Sequence, residues 1–208
     1  MIKFDNVTKI IKRHEVLSSI TLSLRESDCV LLRGPNGSGK TMLLRLVCGL
    51  ISPSSGEIYR ESDEYNYGIV IENPSFFLGE TALFNLKYLA RIRKRISDVE
   101  ICEALKKVGL FEHKDRKVKS YSLGMKQRLG ICQAIMEDPD IILLDEPFNA
   151  IDENSVRDIC KVLQEEHDRG KLIIIASHHI NNVELSFNKT ITLNSGKLTE
   201  VINEFSVT

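Results

Sequence analysis

Residues Gly34-Pro35-Asn36-Gly37-Ser38-Gly39-Lys40-Thr41, followed by Met42, match the spacing G-x-x-x-x-G-K-[ST] in full. Gly34, Gly37 and Gly39 tolerate positive φ, so the backbone can turn tightly and aim its N–H groups inward. Such a loop at a helix N-terminus cradles phosphate oxygens, because free N–H groups and the helix dipole both favour an anion. Lys40 is placed to reach the β- and γ-phosphates of a nucleotide, and the Thr41 hydroxyl to ligate Mg²⁺. The flanks agree. "CVLLRG" is a short apolar run that predicts a buried strand, and "MLLRLVCGL" has helical apolar spacing that stops at Gly49.

A second set of chemical groups follows "IILLDEP", where Asp145 and Glu146 stand just beyond an aliphatic strand. Ligands of open α/β sheets bind beyond the carboxyl ends of the strands. Asp145 is therefore predicted to join Thr41 in the Mg²⁺ shell. Glu146, beside the metal with no phosphate to ligate, suits a base that orients water. "KLIIIASHH" predicts another buried strand, which would bring His178 within reach of a γ-phosphate. No Cys or Asp stands at ligand spacing from His178 and His179, so no metal site is predicted there.

The surrounding pattern supplies the elements that would hold these groups. Period-two alternation in "MIKFDNVTKI" and "EVLSSITLSLRESD" predicts N-terminal strands. "SPSSGEI" is a turn cluster, "YGIVIE" a short strand and "NPSFFLGET" a loop. From about Thr81 to Glu137 the pattern is helical. Its clearest helix is "SDVEICEALKKVGL", with a capping box at Ser97 and Glu100, an apolar face of Ile101, Leu105 and Val108, and a stop at Gly109. "ENSVRDICKVLQEEHDRG" predicts an amphipathic helix closed by Gly170, and "NKTITLNSGKLTEV" a hairpin turning at Asn194-Ser195-Gly196. Strands alternating with helices imply an α/β fold with a mostly parallel sheet. The expected layout is an antiparallel N-terminal β subdomain, a nucleotide-binding core at 1–72 and 137–208, and an inserted α-helical subdomain at 73–136.

Composition narrows the function classes. Lys+Arg is 28 and Asp+Glu 29, and a net charge of −1 gives no general attraction to nucleic acid. Five scattered cysteines without a C-x-x-C pair read as reduced thiols of a cytosolic protein. There is no signal-peptide core and no run of about 18 apolar residues, so a membrane role must come through a partner. The end at Thr208, soon after the hairpin, predicts no regulatory C-terminal domain. "RIRKR" (Arg91–Arg95) reads as a solvated helix face with Ile92 and Ile96 toward the core. Phe76 and Phe77 read either as core packing or as docking residues for a membrane subunit.

"YSLGMKQRLGIC" (Tyr121–Cys132), upstream of "IILLDEP", resembles the signature loop of ABC-type ATPases. Ser122, Gly124, Lys126, Gln127 and Arg128 match that pattern, while Leu123 and Met125 replace its first glycine and its glutamine. The order of motifs then resembles the family along the whole chain: phosphate loop Gly34–Thr41, signature Ser122–Met125, Walker B Ile141–Asp145 with Glu146, D-loop Asn149–Asp152 and switch histidine His178. The wording "YSLGMKQRLGI", with Glu72 at the Q-loop position, is similar to the bacitracin/lantibiotic-type exporter branch.

The resemblance implies a P-loop NTPase (RecA-like) core that binds ATP and Mg²⁺ and hydrolyses ATP to drive a separate membrane permease. It implies a cytoplasmic protein held peripherally at the inner face of the membrane, with no nucleic-acid partner expected. Two cassettes, identical or different, would close head to tail, so that Ser122 and Gly124 of one touch the γ-phosphate on Lys40 of the other. Glu146 would activate water and His178 would stabilise phosphoryl charge. Glu72 would offer an oxygen to Mg²⁺ or water while adding a negative charge, and the loop from Asn73 to Glu80 would couple to the partner. The family's other roles are a soluble ATPase on ribosomes or DNA, which usually needs a second cassette, an insertion or a basic excess, and an ATP-binding module with little turnover. Ile11 aligns where the family places an adenine-stacking aromatic, and losing that stack costs roughly 1–3 kcal/mol by analogy with base–aromatic stacking. We therefore expect ATP and GTP to bind with affinities within about tenfold of each other, the discrimination that one lost stack removes. Competition of the two nucleotides against a fluorescent analogue checks this, and a larger preference for ATP refutes it.

Overall fold

The computed structural model describes residues 1–72, 74–178 and 183–203. Asn73, His179 and Thr208, which the sequence predictions touch, lie outside them. Strands β1 (Ile2–Ile11), β2 (His14–Leu24) and β4 (Ser55–Arg60) form an antiparallel sheet in the order β2-β1-β4. Six further strands form the second sheet: β3 (Cys29–Arg33), β5 (Tyr67–Val70), β6 (Ile141–Asp145), β7 (Leu172–Ser177), β8 (Lys189–Asn194) and β9 (Lys197–Asn203). Their order is β5-β6-β7-β3-β8-β9, parallel throughout except for the final β8–β9 hairpin. Among the described residues stand five α-helices: α1 (Lys40–Val47), α2 (Ala82–Arg93), α3 (Asp98–Lys107), α4 (Leu123–Ile135) and α5 (Glu153–Asp168).

Unbroken aliphatic runs become the central strands because both faces of the sheet are covered. Ile141 and Leu143 of β6 face one core with Leu172, Ile174 and Ala176 of β7, together with β1, β2 and α1. Ile142, Leu144, Ile173 and Ile175 point the other way, into a core shared with α2 through α5. Every residue of β6 and β7 is buried. Parallel pairing then aligns the carboxyl ends of the strands. Arg33 pairs with Ser177, and Asp145 with Ala176, so the segments leaving β3, β6 and β7 emerge side by side.

Local signals read from sequence recur in the helices. Ser97 and Glu100 form the capping box of α3, and Ile101, Leu105 and Val108 are buried. Thr81, Ser122 and Asp152 cap α2, α4 and α5 by accepting backbone N–H bonds. Three expectations are corrected. Ile92 is 69% exposed, whereas Ile96 packs against the core. The buried face of α2 runs through Leu86 and Ala90, and a residue two beyond Ala90 is rotated about 200° away from it. β5 closes at Val70, short of Glu72, whose φ of 64° lies in the left-handed region. The β8–β9 turn is the two-residue step Ser195-Gly196, with Asn194 still paired to Lys197.

A buried carboxylate ties the base of the sheet to the helices. Glu166 of α5 is 2% exposed and pairs with Lys171 at 2.5 Å, Lys107 of α3 at 3.1 Å and Arg169 at 3.1 Å. Burial opposes its ionisation, but hydrogen bonds from Lys171 and Lys107 outweigh that and hold the carboxyl below its ordinary range. A depressed carboxyl contributes stability above its unfolded pKa of about 4.3, and that stability is lost as pH falls through the lower folded value. Removing one member of a buried pair costs about 3–5 kcal/mol, and Lys171 keeps a second partner in Asp138. Glu166→Gln should therefore destabilise the fold by about 2 kcal/mol at neutral pH. The difference from the native chain should shrink below about pH 4, as read by urea denaturation across pH.

Candidate functional site

The phosphate loop leaves β3 and enters α1, and its shape depends on glycine at two tight points. Gly39 caps α1 with φ 104°, and a Cβ there would lie 2.7 Å from Leu17 Cδ2 and 2.9 Å from the Val16 carbonyl. Gly34 approaches the Leu193 carbonyl so closely that a Cβ would sit 2.3 Å from its oxygen. The loop frames a cleft of about 280 Å³ lined by Val16, Asn36 through Met42, Asp145 and Glu146. Lys40 is 7% exposed, and its Nζ donates to the carbonyls of Gly34 at 2.7 Å and Pro35 at 3.3 Å.

Across the cleft the Thr41 hydroxyl donates to Asp145 Oδ2 at 2.6 Å. Burial holds the Asp145 carboxyl above its ordinary range. The Thr41 bond opposes that rise, Glu146 adds to it, Lys40 opposes it and Glu72 adds to it.

Glu146 is fastened on three sides. His178 Nδ1 lies 2.6 Å from its Oε1, and the His178 backbone N–H reaches the same oxygen at 3.1 Å. The Ser177 hydroxyl donates to Oε2 at 3.1 Å. The side chain of Gln127, buried in α4, donates to the Glu146 carbonyl at 3.2 Å. Glu146 itself has φ 48°, a conformation costly for a residue with a Cβ and one that persists where surrounding contacts over-determine it.

The signature residues occupy the start of α4. Ser122 Oγ accepts the Met125 N–H at 3.2 Å, Leu123 is 62% exposed, and a Cβ on Gly124 would lie 2.5 Å from the Ala150 carbonyl. None of the three lines the cleft, so the two halves of the expected nucleotide site stand apart in one chain. Ile11 does not line it either. It closes β1 at the Lys12-Arg13 turn, 38% exposed, and the apolar side chains at the cleft wall are Val16 of β2 and Met42. Glu72 is drawn to Arg45 of α1, with Nη2 to Oε1 at 2.5 Å. Sequence reasoning missed Val16, Arg45, Ser177 and the bond from Gln127 to Glu146. Only Arg45 carried a local signal, one helical turn after Thr41.

The match to known proteins is broad. The family model for ABC transporters matches residues 17–149. The chain is 42% identical to the Bacillus subtilis (strain 168) ABC transporter ATP-binding protein YybJ, covering 95% of this chain and 94% of that one. It is 34% identical to the bacitracin transport ATP-binding protein BcrA of Enterococcus faecalis, covering 98% of this chain and 69% of BcrA. Its fold superposes with a TM-score of 0.89 on the dimeric post-hydrolysis state of the ATP-binding cassette MJ0796 bound to ADP and Pi. That match is 26% identical over 99% of this chain and all 100% of the other. With the phosphate loop, the paired carboxylates and the histidine gathered at the carboxyl ends of adjacent strands, the chain belongs to the ABC transporter family as one of its ATP-binding cassettes.

Proposed function

We propose that this cassette hydrolyses ATP to power a separate membrane-spanning permease, working as a head-to-tail pair with a second cassette of the same or another kind. The observation that carries this is Glu146, held by Ser177, His178 and Gln127 beside the Thr41–Asp145 pair at the phosphate loop. A carboxylate fixed this firmly, at the mouth of a triphosphate cradle, suits the orientation of one water molecule. The relative BcrA, a bacitracin transport ATP-binding protein, supports a transport role of this general kind.

The residues divide the work. The loop amides of Gly34 through Thr41 bind the phosphates, and Lys40 turns from its loop carbonyls to the γ-phosphate. Two hard oxygens 2.6 Å apart, on Thr41 and Asp145, fit Mg²⁺, which would neutralise phosphate charge when bound. Glu146 orients the attacking water and accepts its proton, and His178 hydrogen-bonds the transferred phosphoryl group. Ile11, which stands outside the cleft, is the residue we assign to the adenine end of the site. Ser122 and Gly124 serve the partner cassette's nucleotide, which accounts for their distance from this chain's own cleft. Closure of the pair excludes water and completes the catalytic group only when ATP is present. In this reading 1–72 and 137–208 form the nucleotide-binding core and 73–136 the helical subdomain.

No helix among the described residues is long and apolar enough to cross a membrane. We place the cassette at the cytoplasmic face, held by the permease. A cluster of exposed aromatics offers the contact: Phe77 meets Tyr88 edge-on at 5.1 Å, Tyr88 stacks with Phe84 at 6.4 Å, and Asn85 pins the Phe77 backbone at both its N–H and its carbonyl. Phe76 packs inward instead.

Light scattering tests the pair and the base together. Glu146→Gln should dimerise in ATP with Mg²⁺ and lose steady-state hydrolysis by a factor on the order of 100 or more, while the native chain turns over and remains mostly monomeric. Retained hydrolysis in the variant would rule out Glu146 as the base.

A further inference from the structure

Glu72 brings a negative charge to a region that already holds Asp145 and Glu146, and the structure shows what balances it. Arg45 stands four residues after Thr41, hence on the same side of α1 one turn on. Its Nη2 grips Glu72 Oε1 at 2.5 Å, while the Glu72 backbone is held at φ 64°. The Glu72 side chain is 63% exposed and that of Arg45 29%, so the carboxylate sits at the wetter end of the pair. Neither residue lines the cleft, yet the Glu72 charge is felt at Asp145. The strand before Glu72 ends at Val70, and the backbone on the far side of Asn73 runs on through Pro74 to the exposed Phe77, so the ion pair anchors the start of that segment to the helix that carries Lys40 and Thr41.

We propose that Arg45 is a positioning residue that acts through Glu72. It holds the carboxylate against α1 and yields it to the cation-bound triphosphate when ATP arrives. The exchange is local. Glu72 leaves one positive partner for another, and the segment it begins loses its tether to α1 at the moment of binding. A neutral side chain at position 72 would have no such choice to make. The proposal rests on the nucleotide site proposed above.

The test is the affinity of a fluorescent ATP analogue in EDTA and in Mg²⁺, and its measure is the ratio of the two dissociation constants. Arg45→Met leaves Glu72 unopposed near the triphosphate. Metal-free binding should weaken about fivefold, the scale of one partly exposed charge interaction, and Mg²⁺ should restore it, so the ratio rises. Arg45→Lys should return the ratio toward native. Glu72→Gln, at the more exposed end of the pair, reads the same coupling without altering α1 and should lower the ratio. In the Glu72→Gln background, Arg45→Met should no longer raise it. A rise of equal size with and without the Glu72 carboxylate, or no rise at all, overturns the latch. A native chain that binds no analogue in either buffer removes the nucleotide site itself, and the latch with it. A native chain that binds tightly while the variants show no coupling removes the latch alone.

Discussion

The parallel, in-register alignment of β3, β6 and β7 is the constraint on which the site depends. Each of these strands is apolar because it is covered on both faces, so none can slip by one residue without exchanging its two cores. The phosphate loop, Glu146 and His178 therefore leave the sheet at fixed relative heights. The chemistry is carried by polar residues, but their placement is set by isoleucine and leucine side chains that touch no ligand.

That division explains which parts were legible in the sequence. The phosphate loop, the carboxylates after β6 and the capping box of α3 depend on residues close together in the chain, where spacing alone specifies geometry. Ile92 was misplaced because α2 carries apolar residues on every side, among them Phe84, Leu86, Tyr88 and Ile92, which leaves its buried face ambiguous, and packing of Leu86 and Ala90 decides it. The bonds from Gln127 to Glu146 and from Arg45 to Glu72 join residues 19 and 27 positions apart. No local pattern encodes such a pair: Glu146, Glu72 and Gln127 stand out as single motif positions, but nothing nearby in the chain names the partner that the fold brings to each.

Charge is distributed around the cleft with the same economy. Asp145, Glu146 and Glu72 each have an immediate partner within the chain: a hydroxyl, an imidazole and a guanidinium respectively. Lys40 is satisfied by its own loop carbonyls. The cleft is thus bordered by closed local pairs, and a polyanion with its cation would offer those groups a rearranged set of partners rather than their first ones.

Helix α4 connects two places that a single chain keeps apart. Its first turn presents Leu123 to solvent, and its second turn holds the Glu146 carbonyl through Gln127. Gly124, pressed against Ala150, fixes the same turn to the segment that follows Glu146. A helix is stiff along its axis, so a displacement at the exposed tip is delivered to the backbone of Glu146 across one side-chain bond. In the head-to-tail pair we propose, the arrival or departure of one cassette's nucleotide would be communicated mechanically to the other's Glu146, giving the two centres a shared cadence.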